Sequence, residues 1–91
     1  MGDENEMVSK KLIVTNKSGF HVRPAGVLAR AAENCNSKVE ILYKYNIVNA
    51  KSLLNILSAS IAKGDEIELR CIGPEEEEDM EKLLEVIAHL E

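Results

Sequence analysis

One short segment constrains the fold more than any other, because charged and apolar side chains alternate in it over six consecutive residues. Residues 66–72 read EIELRCI, which places one set of side chains on each face of an extended strand (Ile67, Leu69 and Cys71 against Glu66, Glu68 and Arg70). A strand of this kind has one face in water, so its apolar face needs a cover. The segment therefore predicts a sheet that is packed on one side only.

The rest of the chain supplies further strands and the helices that cover them. Strands are predicted at about 10–15, 38–44 and 47–49, and helices at about 22–34, from Ser52 to residues 58–61, and from Pro74 onward. We therefore expect an α+β open-faced sandwich of order β-α-β-β-α-β-α. Its four-stranded, largely antiparallel sheet is covered on one face by three helices.

Local chemistry sets the expected element boundaries. Asn46 is the expected positive-φ residue of the turn after the second strand, and Lys63-Gly64 is the expected end of the second helix. Pro24 disfavours the α region for Arg23, which predicts an irregular start to the first helix. Pro74 suits the start of the last helix.

Length, charge and composition narrow the function classes. The chain of 91 residues is long enough for one domain, which we place at 8–91 behind a flexible acidic tail at 1–7. No apolar run approaches the ~18 residues of a membrane span, and the N-terminus lacks a signal-peptide core, so we expect a cytoplasmic monomer without membrane insertion. The net charge of −5 argues against nucleic acid as a partner.

Neither the cysteines nor the histidines are spaced as a metal site. Cys35 and Cys71 lie singly in apolar segments, which favours two buried thiols over a disulfide or a metal pair. His21 and His89 have no accompanying ligands, and His89 suits the C-terminal end of the last helix. We expect no metal and no cofactor.

The segment Gly19-Phe20-His21-Val22-Arg23-Pro24-Ala25 is the strongest candidate site. Pro24 is tolerated in a first helical turn, so His21 is expected at or next to the N-cap, near free backbone N–H groups. Such a helix end favours a phosphate, and Arg23 is placed to add a charge-assisted hydrogen bond. An imidazole is also a competent nucleophile near neutral pH. The alternative is a surface histidine that only caps a helix.

Ser52 is the second candidate, and it is a natural N-cap. A hydroxyl at a helix N-terminus is also a favourable phosphorylation site, because the added charge meets the positive end of the helix dipole. The apolar residues that follow are too many for a one-sided short helix, which indicates a partner surface. The alternative is that Ser52 is a cap and nothing more.

The segments GFHVRPAG and VNAKSLLNILSASIAKGDEIEL, with the acidic amphipathic C-terminal helix, resemble the HPr phosphocarrier family of the sugar phosphotransferase system, Gram-positive type. The resemblance covers about 8–91. It implies a carrier rather than an enzyme, in which enzyme I phosphorylates His21 on Nδ1, Arg23 stabilises the phosphate, and enzyme IIA domains receive it. It also implies that HPr kinase/phosphorylase modifies Ser52 for a catabolite control protein. Partner docking is expected at four residues (Phe20, Leu53, Leu54 and Leu57).

Several residues depart from the family pattern. Asn55 replaces a common glycine, Val22 replaces a small residue, and Glu33 stands where a basic or neutral residue is usual. These changes leave the choice of sugars and partners open. Two other functions are considered: a regulatory paralogue that acts only through phospho-Ser52, and a binding or structural domain that shares only the fold. Regulatory members lack the active-site histidine, whereas His21 is present here.

Overall fold

The computed structural model describes residues 7–90, which form four strands and three helices in the predicted order. The elements are β1 (Met7–Ile13), α1 (Val22–Glu33), β2 (Lys38–Tyr43), β3 (Asn46–Asn49), α2 (Leu53–Ala59), β4 (Glu66–Ile72) and α3 (Glu76–Ala88). Among the described residues, no helix has the length and apolar character needed to cross a membrane.

The sheet confirms the predicted α+β open-faced sandwich. Its strand order is β1-β4-β2-β3, and every neighbouring pair is antiparallel. Ile67, Leu69 and Cys71 of β4 are buried on the inner face, as their alternation predicts. The helices pack on this inner face, where α3 contacts β4 and β1, α2 contacts β3, and α1 contacts both other helices. The opposite face of the sheet carries no helix in the described part of the chain.

α1 begins more regularly than the sequence indicates. His21 is its N-cap and Val22 its first residue, so Arg23 is helical and the predicted irregular start is wrong. The ring of a helical proline clashes with the carbonyl four residues earlier, which here belongs to Phe20 and lies outside the helix. Pro24 therefore fits the first turn at no cost to the helix geometry.

Three predictions about individual turn and cap residues are wrong. Tyr43 pairs with Asn46, so the hairpin loop is Lys44-Tyr45, and the positive φ of 57° belongs to Lys44 rather than Asn46. α2 ends at Ala59, within the predicted 58–61, but its C-cap is Ser60 at φ 58° rather than the predicted Lys63-Gly64. Pro74 precedes Glu75, the N-cap of α3, instead of starting the helix.

β1 lies closer to the N-terminus than the predicted 10–15. It begins at Met7, which the sequence assigns to the tail, while residues 1–6 lie outside the described residues. The strand ends at Ile13 because two residues of the loop before β4 face the single residue that follows β1: Gly64 donates to the Val14 carbonyl at 2.8 Å, and the Val14 N–H donates to the Asp65 carbonyl at 2.9 Å. This local bulge interrupts the regular ladder.

One buried carboxylate ties α3 to the start of β2. Asp79 is 1% exposed, and its Oδ2 accepts a hydrogen bond from the Ser37 amide at 2.9 Å. Burial alone would raise the pKa of Asp79, but the hydrogen bonds from Ser37 and the charge of Lys82 outweigh it, so the pKa lies below its usual value. Cys35 and Cys71 are free and buried, and burial raises the pKa of Cys71 to about 12.

Candidate functional site

His21 stands at the N-terminus of α1 with its imidazole in solvent. Its backbone is extended at φ −85° and ψ −168°, as an N-cap requires, and its side chain makes no capping hydrogen bond. The residue is exposed. The ring nitrogens are therefore free of the capping role that was the alternative explanation for a histidine at this position.

Backbone donors surround this helix end. The first intrahelical bond runs from the Ala25 N–H to the His21 carbonyl at 2.8 Å. The amides of Val22 and Arg23 come earlier in the helix and therefore have no intrahelical acceptor. Pro24 has no N–H, and the first turn carries no acidic residue. An N-terminus of this kind, with free amides and no carboxylate, favours an anion next to His21.

A shallow pocket joins the histidine to two cationic side chains. It has a volume of about 460 Å³ and is lined by Lys17, Ser18, His21, Val22, Arg23 and Pro24. The structure thus brings His21 and Arg23 together, as the sequence predicts. Among the described residues no carboxylate lines the pocket, although the whole chain carries a net charge of −5. The pocket is a local positive region with the chemistry of a phosphate site.

Sequence reasoning missed two residues of this pocket, Lys17 and Ser18. Both precede Gly19 in the turn that leads to His21, and this nearness is the signal that identifies them. A lysine adds a second positive charge, and a serine adds a hydroxyl that can donate to a phosphate oxygen.

The turn before His21 is held against the loop between α2 and β4. Gly19 adopts φ 67°, and a Cβ built on it would lie 2.6 Å from the Ile61 carbonyl oxygen and 2.8 Å from the Ala62 Cα. The next amide, that of Phe20, donates to the same Ile61 oxygen at 3.0 Å. Only glycine fits such a close backbone approach, so Gly19 determines where His21 stands.

Phe20, one of the predicted docking residues, has a side chain that is 2% exposed and belongs to the core. It occupies the position before the N-cap, and the fourth helical residue, Ala25, is also buried. A buried apolar residue at this position is typical of a hydrophobic staple, which sets the direction in which the chain enters a helix. Phe20 therefore supports the site from the core, by fixing the direction in which the chain enters α1.

Ser52 is the N-cap of α2, as predicted, and its Oγ accepts a hydrogen bond from the Asn55 amide at 3.2 Å. The Asn55 side chain turns back and accepts from the Asn49 amide at 3.5 Å. The glycine that is common at this position has no such side chain. Ser52 does not line the His21 pocket.

The predicted docking leucines differ in exposure. Leu54 is 74% exposed and Leu53 is 37% exposed, whereas Leu57 is partly buried against the core. Val22 and Val27 of α1 are also exposed, and α1 packs against α2. The two helices therefore present apolar side chains that the sequence only partly identified.

His89 does not line the His21 pocket, but it lines a neighbouring pocket that shares Arg23 and Pro24 with it. It is the C-cap of α3, and its Nδ1 lies 2.9 Å from the Glu85 carbonyl oxygen. Within residues 7–90, no group of three His, Cys, Asp or Glu side chains is arranged to hold a metal ion.

Comparison with known proteins identifies the family. The model of the PTS HPr component phosphorylation site matches residues 8–89. Phosphocarrier protein HPr of Treponema pallidum is 37% identical over 70 residues, which cover 77% of this chain and 80% of that protein. HPr-like protein Crh of Bacillus subtilis is 35% identical over 77 residues, which cover 85% of this chain and 91% of that protein.

A solved structure agrees with the sequence matches. The phosphocarrier protein HPr from Bacillus anthracis superimposes with a TM-score of 0.84 at 31% identity, over 96% of this chain and 100% of that chain. The fold, the histidine at the start of α1 and the sequence matches lead to one conclusion: this chain belongs to the HPr family of phosphocarriers of the phosphotransferase system.

Proposed function

We propose that His21 accepts a phosphoryl group from phosphorylated enzyme I and donates it to sugar-specific enzyme IIA domains. One observation carries the proposal: an exposed imidazole without a capping bond stands at a helix N-terminus, in a pocket that Lys17 and Arg23 line and that no carboxylate of residues 7–90 lines. The carrier domain would be residues 8–91, acting as a monomer, and the family match over 8–89 supports that extent.

The transfer needs little from the carrier beyond a nucleophile and positive charge. An imidazole nitrogen, Nδ1 by family resemblance, attacks phosphorus, and an N–P bond forms as the bond to the donor breaks. The next acceptor reverses these events, so the carrier ends unchanged. A charge-assisted hydrogen bond from Arg23 would contribute about 1.5–3 kcal/mol toward binding the transferred dianion. The helix dipole would contribute about 0.3–1 kcal/mol.

The decisive experiment is incubation with enzyme I, phosphoenolpyruvate and magnesium, followed by intact mass measurement. We expect the wild-type protein to gain one phosphoryl group, labile in acid and stable in base. His21→Ala should gain none, whereas His89→Ala should be labelled like the wild type, because His89 lies outside the pocket. Full labelling of His21→Ala would refute the assignment.

Regulation at Ser52 is the second part of the proposal. A half-exposed hydroxyl at the start of α2, beside the exposed Leu54, supports phosphorylation by HPr kinase/phosphorylase and recognition by a catabolite control protein. The similarity to HPr-like protein Crh favours a second candidate, a regulatory paralogue that acts only through phospho-Ser52. His21 and its cationic pocket favour the carrier.

A further inference from the structure

Asp65 links two distant parts of the chain through one carboxylate oxygen. Its Oδ2 accepts a hydrogen bond from the Tyr43 hydroxyl at 2.6 Å and another from the Ala62 amide at 2.8 Å. Tyr43 ends β2 and is 6% exposed, so its ring is packed in the core and holds the hydroxyl in place. Neither Tyr43 nor Asp65 lines the His21 pocket.

The carboxylate closes the turn at 62–65 from both directions. The Asp65 amide donates to the Ala62 carbonyl at 3.0 Å, while the Asp65 side chain receives the Ala62 amide. A turn joined by a backbone and a side-chain bond at once has little freedom to change shape. The tyrosine hydroxyl then fixes that turn to the end of β2.

The His21 turn rests on this closed turn. The Phe20 amide donates to the Ile61 carbonyl at 3.0 Å, and Gly19 lies against the backbone of residues 61–62. The segment between β1 and His21 is also held at its β1 end, because the Val14 amide donates to the Asp65 carbonyl at 2.9 Å. Both ends of the segment between β1 and His21 are therefore bound to residues 61–65.

We infer that Asp65 and Tyr43 are positioning residues for His21: they hold the turn that supports Gly19 and Phe20, and so set the direction of the imidazole. The inference rests on the proposed role of His21 as phosphoryl acceptor. The titration of the pair agrees with it. The bond from Tyr43 holds the pKa of Asp65 below its usual value, and the same bond raises the pKa of Tyr43. At neutral pH, a neutral hydroxyl thus faces an ionised carboxylate.

The test compares three variants: Tyr43→Phe, Asp65→Ala and the double variant. Single-turnover transfer from phosphorylated enzyme I is measured against carrier concentration. We expect Asp65→Ala to slow the transfer step about tenfold, since small displacements of a reacting group cost large factors in rate. The half-saturating concentration should change less than about twofold, because the docking surface is intact. The double variant should lose no more than Asp65→Ala, because the two residues act in series.

Two controls separate positioning from a general loss of stability. Asp65→Asn should recover most of the rate, because its carboxamide oxygen can take the place of Oδ2 and accept from both the Ala62 amide and the Tyr43 hydroxyl. Asp79→Asn weakens the buried contact with Ser37, which follows the C-terminal end of α1. The 12 residues of α1 span about 18 Å, and His21 stands at the opposite end of this helix. Asp79→Asn should lower the melting temperature without slowing transfer.

A second readout needs no enzyme I. Hydrogen exchange of the Phe20 amide should accelerate in Tyr43→Phe and Asp65→Ala, while exchange of the Ala25 amide stays as in the wild type. Unchanged Phe20 exchange, a wild-type transfer rate in Asp65→Ala, or an equal rate loss in Asp79→Asn would each overturn the inference. A wild-type protein that enzyme I does not label would instead refute the proposed function, and exchange would still decide whether the pair holds the turn. Should Asp65→Ala fail to fold, Tyr43→Phe, which keeps the packed ring, provides the same tests.

Discussion

Replacing Gly19 with alanine should damage both stability and transfer, and the structure gives the size of the effect. At φ 67°, an alanine pays about 1–2 kcal/mol for the left-handed conformation. Its Cβ would also lie 2.6 Å from the Ile61 oxygen, so the backbone must separate and the Phe20–Ile61 hydrogen bond is strained or lost. That bond contributes about 1 kcal/mol, for a total of about 2–3 kcal/mol.

Thermal unfolding measures this loss directly. At about 4–8 °C per kcal/mol for a domain of this size, Gly19→Ala should lower the melting temperature by about 8–24 °C. The chain supplies two matched controls. Gly64 has φ 93° with nothing near its missing Cβ, so Gly64→Ala should show the conformational strain alone. Gly26 is helical and open, so Gly26→Ala should stabilise α1 by about 0.5–1 kcal/mol.

Transfer rates complete the experiment. Gly19→Ala moves the turn that carries His21, so transfer from enzyme I should slow even at temperatures where the variant is folded. Gly26→Ala should transfer at the wild-type rate. Equal melting temperatures and equal rates for Gly19→Ala and Gly64→Ala would refute the reasoning, because the close approach to Ile61 would then have no consequence.

Substitutions at three other positions test separate parts of the molecule. Arg23→Ala should slow phosphoryl transfer without unfolding the protein, and Arg23→Lys should restore only part of the rate, because lysine lacks the planar fork of donors; transfer kinetics and melting temperature check both. Ser52→Asp should keep or slightly raise the melting temperature, since aspartate also caps a helix, yet slow His21 phosphorylation; a large fall in melting temperature with an unchanged rate would leave Ser52 as a cap only. Asp79→Asn should reduce the loss of stability that the wild-type protein shows as the pH falls. The depressed pKa of Asp79 adds stability above its unfolded pKa of about 3.9, which is lost as pH falls through the folded value, so melting curves from about pH 6 to about pH 2 should converge at the acid end.

Local patterns in the sequence predicted most of the architecture. The bounds of β4 were right because alternation over residues 66–71 marks its inner face and Gly73-Pro74 ends the strand. The N-cap positions of His21 and Ser52 followed from residues within one helical turn of each. These features depend on neighbours in the chain, which a sequence displays directly.

What the sequence missed depends on contacts between distant segments. Phe20 was expected at a docking surface and is buried, since nothing near it in the sequence indicates a core position beneath α1. The positive φ belongs to Lys44 rather than Asn46 because strand register decides which two residues form the loop. The support of the His21 turn by Ile61 joins residues about forty positions apart, and no periodicity predicts such a contact.

The openness of the His21 pocket has a kinetic consequence. A phosphoryl group on this exposed ring would face water on its outer side, and water is a competing acceptor that only an enclosing surface excludes. The phosphorylated protein would then lose its phosphoryl group to water when it is alone. We expect each partner to cover the pocket as it docks, and the exposed apolar side chains of α1 and α2 would help to exclude water. The phosphorylated fraction of such a carrier would follow the current balance between the supply of phosphoryl groups by the donor and their use by the acceptors.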